Sequence, residues 1–140
     1  MHSETHKKIL LESIEQSNVA HTISAPDGDR PLTYVNQQFL EETGYKRDEV
    51  IGRNCRFLQG KDTDKITVNL IRKGLKENRK MDLEILNYKK DGTPFWNRLR
   101  IYPIFDDNQK VQAHIGIQSD ITSIHNKLHS EQNRQKLESL

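Results

Sequence analysis

MDLEILNYKKDGTPFWNRLRIYPIFDDNQKVQAHIGIQSDI, residues 81–121, decides the fold of this chain. It divides into three runs, MDLEILNYK, TPFWNRLRIYPIF and KVQAHIGIQSDI, joined by Lys-Asp-Gly and Asp-Asp-Asn-Gln, which suit hairpin turns. Three consecutive antiparallel strands are the expectation. Side chains alternate across a strand, so Met81, Leu83, Ile85 and Asn87 share one face, and Phe95, Asn97, Leu99 and Ile101 share a face of the next. On the third strand His114, Gly116 and Gln118 share a face. An unpaired carboxamide in a core costs about 1–3 kcal/mol, so amides on neighbouring apolar faces imply a shared polar partner. A heteroaromatic ligand with mixed donors and acceptors fits, with Asn87, Asn97 and Gln118 converging on one ring edge. The missing side chain of Gly116 would let a flat ring approach the backbone. A single Asn more often bonds backbone or faces solvent, but three amides on one sheet face weigh against that arrangement.

Upstream, THKKILLESIEQS (residues 5–17) places Leu10, Ile14 and Ser17 on one helical stripe. VAHTIS and LTYV then flank the turn-forming APDGDRP, which predicts two short strands in a hairpin-like arrangement. Between Asn36 and Asn78 short helices are punctuated by Gly44, Gly52 and Gly60, and a longer helix is expected to start at Asp62 or Thr63. Downstream, Ile121, Ile124 and Leu128 begin a terminal helix, whose seam turns polar at Glu131, Gln135 and Glu138. The order is therefore helix, two strands, helices, three strands, helix: an α+β layout on one five-stranded antiparallel sheet. Residues 1–18 read as an N-terminal helical cap, 19–121 as the core and 122–140 as a C-terminal helix.

Composition narrows the function classes. A chain of 140 residues suits one core, and 30% charged residues against 33% hydrophobic place part of it in solvated helices. The net charge is +2, from 22 basic and 20 acidic residues, so no global field draws it to nucleic acid or an anionic membrane. No apolar run is long enough to span a bilayer and the charged start is unlike a signal peptide, so a soluble, cytoplasmic protein is expected. The single cysteine, Cys55, has no second thiol for a disulfide or a redox pair.

Cys55 lies in GRNCRFLQG, residues 52–60, a thiol among polar and basic neighbours bounded by glycines. This segment resembles the signature of light-oxygen-voltage (LOV) photoreceptor domains, and NYKKDGTPFWN and GIQSDIT resemble that family's later strands. The resemblance covers residues 22–122, with unbroken spacing from Cys55 to Gln118. It implies a PAS-like fold and a bound FMN, with Cys55 beneath the ring and able to bond carbon 4a reversibly after blue light. It further implies that Arg56 and Arg72 pair with the FMN phosphate, and that Asn54 and Gln59 lie beside the ribityl chain and ring. Asn87 and Asn97 would bind the pyrimidine edge, and Gln118 would sit beside N5 and change its hydrogen bonding in the lit state. Leu58, Val68, Leu99 and Ile101 would be apolar walls. Thr22 and His114 depart from the family's usual apolar residues near the pocket.

On the other sheet face Leu86, Tyr88, Trp96, Tyr102, Ile115 and Ile117 form an apolar patch that needs cover. The terminal helices or a second copy of the domain are the expected covers, and a homodimer would resemble the short LOV proteins of bacteria. His2 with His6, and His125 with His129, have the i, i+4 spacing of helical metal ligands, but no third ligand is near either pair, so solvated histidines are expected. Residues 61–80 are rich in basic residues, yet acids are interspersed and no aromatic platform accompanies them, which argues against nucleic-acid binding. A flavin enzyme is the rival function, but the chain has no nicotinamide-binding glycine fingerprint and no convergent acid and base pair.

Overall fold

The computed structural model describes residues 3–138; Met1, His2, Ser139 and Leu140, and with them the His2–His6 pair, lie outside this range. The elements in order are α1 (Glu4–Glu15), β1 (Ala20–Ser24), β2 (Leu32–Val35), α2 (Gln37–Thr43), α3 (Arg47–Val50), a 3-10 turn (Cys55–Leu58), α4 (Lys65–Lys76), β3 (Met81–Tyr88), β4 (Pro94–Phe105), β5 (Val111–Asp120) and α5 (Thr122–Glu138). The five strands form one antiparallel sheet in the order β2-β1-β5-β4-β3. β5 therefore joins the N-terminal hairpin to the C-terminal strands, and residues distant in sequence meet on its inner face.

The three-strand reading of residues 81–121 holds in full. Asn97 pairs with Ile85, Phe95 with Asn87, Leu99 with Gln118 and Ile101 with Gly116, so the inner faces fall in register. Ile85, Phe95 and Ile101 are buried there, and Ala20, Leu32, Val35, Phe39, Val50 and Leu58 build a second buried cluster beneath the short helices. The intervening helices are short because each is stopped locally. Gly44 ends α2 in the left-handed conformation (φ 79°), where its N–H donates to Leu40.

α4 starts later than Asp62 or Thr63. Thr63 Oγ1 donates to the Leu86 carbonyl at 2.7 Å and accepts from the Gly60 N–H at 2.9 Å, so it ties the loop to β3. Asp64 caps the helix instead, accepting from the Ile66 N–H at 3.0 Å.

The outer sheet face is covered differently from expectation. Tyr88 packs on Gly60 and its hydroxyl accepts from the Asp62 N–H at 3.0 Å, so a loop covers that corner. α5 reaches β4 through His125, which stacks on Trp96 with ring centroids 4.0 Å apart, and His129 stacks in turn on His125 at 4.3 Å. α1 buries none of its residues, and Ile9, Leu10 and Leu11 are exposed. Of the stripe, Leu10 is exposed while Ile14 and Ser17 are half-buried at the C-terminal end, where Glu15 accepts from Arg47 and from the Gln37 N–H. The fully buried Asn36 adds a second tie, donating to the Ile14 and Val19 carbonyls.

Candidate functional site

The inner faces of β3, β4 and β5, the β1–β2 hairpin, the 3-10 turn and one side of α4 enclose a cavity of about 120 Å³. The geometry begins with the 3-10 turn. Asn54 precedes it and caps it, its Oδ1 accepting from the Arg56 N–H at 2.8 Å while its Nδ2 donates to the Asp29 carbonyl at 2.6 Å. The turn is thereby pinned to the β1–β2 loop, and Cys55 lines the cavity. Cys55 is half-buried as a whole residue, but burial of the sulfur pushes the thiol up to about 12, so it is protonated at neutral pH.

Opposite polar chemistry comes from the sheet. Asn87, Asn97 and Gln118 are 4%, 1% and 2% exposed, and all three line the cavity. Asn97 Nδ2 donates to Asn87 Oδ1 at 2.9 Å and to Gln118 Oε1 at 3.3 Å, linking the three amides across three strands. Asn97 Oδ1 and Gln118 Nε2 are left buried without partners. One orphaned acceptor and one orphaned donor on the same cavity wall are what a ring edge of mixed hydrogen-bonding character would satisfy, so the residues present fit a flavin.

The remaining wall is apolar, from Leu58, Ile71, Leu75, Ile85, Leu99 and Ile101, with Asn54, Arg56, Gln59 and Gly116 also lining it. Val68 and Arg72 do not line it. Arg72 is exposed and donates to Asn69 Oδ1 at 3.2 Å, and the face of α4 turned to the cavity carries Ile71 and Leu75 instead. Sequence reasoning missed those two, although their i, i+4 spacing with Gly74 between them was the available signal. Gly74 is buried and lies against the Met81 side chain, where α4 meets β3.

Gly116 lines the cavity and is also crowded from the neighbouring strand. A Cβ there would lie 2.5 Å from Thr22 Oγ1, so the glycine makes room for the neighbouring strand's threonine. Arg56 Nη2 donates to both carboxylate oxygens of Asp29 at 2.7 Å, at the surface where Arg56 lines the cavity. The end of the cavity furthest along β5 from Gln118 is polar: Ser24, Arg30 and His114 line it together with Thr22. Both ring nitrogens of His114 and Arg30 Nε are buried without partners, and burial, then the charge of Arg30, lowers the imidazole below its ordinary value. Among the described residues no group of three His, Cys, Asp or Glu is arranged to hold a metal ion.

A five-stranded antiparallel sheet over a cavity closed by short helices defines an α+β domain with an internal pocket. The chain belongs to the PAS domain family, whose pattern matches residues 18–123. Within that family its relatives are light-oxygen-voltage domains. It is 47% identical over 118 residues to blue-light-activated histidine kinase 1 of Erythrobacter litoralis, covering 84% of this chain and 33% of the kinase. It is 46% identical over 115 residues to phototropin-2 of rice, covering 82% of this chain and 12% of phototropin. The chain thus spans a third or less of these relatives. Among solved structures, an RNA-binding light-oxygen-voltage receptor superposes with a TM-score of 0.89 at 32% identity, over 95% of this chain and 38% of that one. The LOV domain of the Erythrobacter litoralis EL346 blue-light-activated histidine kinase superposes with a TM-score of 0.73 at 40% identity, over 76% of this chain and 99% of that one.

Proposed function

We propose that this chain is a blue-light sensor that binds FMN in the cavity and uses Cys55 as its reactive thiol. The observation that supports this reading most is that a protonated, buried thiol opens onto the same cavity as three buried amides, two of them with unsatisfied atoms. FMN would supply the light-absorbing ring. The chain's own residues would hold it: Asn87, Asn97 and Gln118 would bind its polar ring edge, and Leu58, Leu99 and Ile101 would exclude water. Bound FMN would supply a ring that, once excited, could accept the Cys55 sulfur at carbon 4a and the thiol proton at N5; Cys55 holds that proton in the dark and would regain it on recovery. Burial of the thiol keeps it from reacting before light arrives.

Arg56 is the proposed phosphate partner, because it sits at the cavity rim and a guanidinium fork can exchange the exposed Asp29 carboxylate for a phosphate. Arg72 could join it only by leaving Asn69. We assign no turnover chemistry: the domain is sensory, with residues 19–121 as the photoactive core and the terminal helices as its output.

The output reading is a homodimer in the cytoplasm. Ile104 and Phe105 of β4, and Ile124 and Leu128 of α5, are exposed apolar side chains available to a second copy. No helix among the described residues is long and apolar enough to cross a membrane. A protein partner is proposed in preference to RNA, since the basic residues of α4 are accompanied by Asp64 and Glu77 and no aromatic platform stands beside them. Mass spectrometry of the ligand released from purified protein tests the assignment: FMN is expected, and a colourless, flavin-free protein contradicts it.

A further inference from the structure

The cavity has a second polar end, whose groups take no part in the reading above. His114 is buried, lines the cavity and has no partner on either ring nitrogen. Arg30 lines the same cavity, and its Nε is likewise buried without a partner. The backbone brings the two residues to one place. His114 is the register partner of Ser24, whose Oγ donates to the His114 carbonyl at 3.5 Å. The next residue, Ala25, donates its N–H to the Pro31 carbonyl at 2.9 Å, so the chain turns back beside Ser24 with Arg30 just before Pro31. Arg30 takes the left-handed conformation (φ 49°), and its N–H donates to the Asp27 carbonyl at 3.1 Å. The Asn54 hydrogen bond to the Asp29 carbonyl then fixes this loop against the 3-10 turn.

Charge decides what this end suits. Among the described residues two guanidiniums, Arg30 and Arg56, line the cavity and no carboxylate does. The neighbouring acids do not offset Arg30: Asp29 is committed to Arg56, and Asp27 is exposed. Water could satisfy the Arg30 N–H groups but would leave the charge at the cavity wall uncompensated, whereas an anion answers both. Burial, then the charge of Arg30, lowers the His114 imidazole, so at neutral pH it is uncharged and offers one donor. The Thr22 and Ser24 hydroxyls stand at the same end.

Resting on the flavin reading, we propose that the Arg30–His114 end of the cavity is a subsite for a phosphate-class oxyanion, with Arg30 supplying the charge and His114 a neutral donor. Four residues of β5, or about 13 Å of strand, separate His114 from Gln118. The cavity therefore has an amide pole and a cationic pole. An elongated ligand with a hydrogen-bonding ring edge at one end and a phosphate at the other satisfies both. The phosphate of FMN is one source of the oxyanion, shared between Arg30 and Arg56; Arg72 lies outside the cavity. A free phosphate ion held beside the ring is the other source.

The test is calorimetric titration of the flavin-stripped full chain with FMN, and with riboflavin in the presence and absence of inorganic phosphate. The variants are Arg30→Asn, which removes the charge and tolerates a positive φ, and His114→Leu. If the oxyanion is the FMN phosphate, FMN binding weakens by about tenfold or more in Arg30→Asn and about threefold in His114→Leu, riboflavin binding stays within about twofold, and inorganic phosphate does not change it. If it is a free ion, inorganic phosphate tightens riboflavin binding by about threefold or more in the wild type and not in Arg30→Asn. An unchanged ratio of FMN to riboflavin affinity in Arg30→Asn, together with no effect of inorganic phosphate, overturns the proposal. If Arg30→Asn does not fold, His114→Leu decides by the same two measurements. If the wild type binds no flavin, the flavin reading falls and the phosphorus NMR line of inorganic phosphate decides. Broadening by the wild type that Arg30→Asn lacks keeps the subsite, and no broadening overturns it as well.

Discussion

Asn97 Nδ2 stands 2.9 Å from Asn87 Oδ1, joining two strands whose inner faces are otherwise apolar. The same amino group reaches Gln118, so one residue serves two acceptors and its own oxygen serves none. A buried amide oxygen with no partner in the chain is open to a hydrogen bond from a group outside it.

Replacing Asn97 by Leu should weaken both folding and binding. The apolar side chain removes one unsatisfied acceptor but takes the donor from Asn87 Oδ1 and Gln118 Oε1 and leaves those two unpaired, so a net loss of about 1–3 kcal/mol and a lower ligand-free melting temperature are expected. Flavin affinity should fall by about tenfold or more, measured by titration of the stripped protein. Equal affinity in the variant would remove Asn97 from the ligand site.

Arg56→Gln tests the phosphate assignment. Loss of a charge-assisted pair costs roughly 1.5–3 kcal/mol, so FMN binding should weaken by about tenfold or more while riboflavin binding stays within about twofold. Calorimetric titration with both flavins reads the difference, and equal losses for the two would assign Arg56 a structural role through Asp29.

Gly60→Ala and Gly74→Ala should differ in cost although both are crowded. At Gly60 the new methyl meets the ring carbons of Tyr88, which is fixed by its hydrogen bond from Asp62, and a loss of about 1–3 kcal/mol is expected. At Gly74 it meets the flexible end of Met81, which can swing aside, and a helical alanine returns about 1 kcal/mol of propensity. Chemical denaturation should rank Gly60→Ala well below Gly74→Ala; the reverse order would show that the loop over Tyr88 is not rigid.

Stability of the ligand-free protein should decline toward both ends of the pH range. The Cys55 thiol is raised by burial to about 12, so above its unfolded value near 9.0 the unfolded chain releases a proton that the folded chain keeps, and stability falls as pH rises. His114 is lowered by burial, so below its unfolded value of 6.5 the unfolded chain takes up a proton that the folded chain refuses, and stability falls as pH drops. Cys55→Ala should abolish the alkaline decline attributable to this thiol and His114→Leu should reduce the acid one, read from denaturation midpoints at constant ionic strength. An alkaline decline identical in Cys55→Ala would assign it to other groups.

Much of this architecture is legible in residues 81–121, because strand alternation is a period of two that needs no tertiary knowledge to apply. The faces, the hairpins and the convergence of Asn87, Asn97 and Gln118 all come from that period. Helix orientation does not. Val68, Ile71, Arg72 and Leu75 share one face of α4, and which of them line the cavity depends on how the helix sits against β3, where buried Gly74 meets Met81, a contact between distant parts of the chain. The apolar stripe of α1 likewise says that a face could be covered, not how far along the helix the cover reaches: Ile14 and Ser17 are half-buried and Leu10 is exposed.

The central claim is that Cys55 reacts with a flavin under blue light, and the absorption spectrum before and after illumination tests it most directly. The wild type should be yellow, bleach under blue light and recover fully in the dark, while Cys55→Ala should stay yellow and show no reversible bleaching. A yellow wild type that does not bleach, or a Cys55→Ala variant that bleaches and recovers like the wild type, would contradict the account.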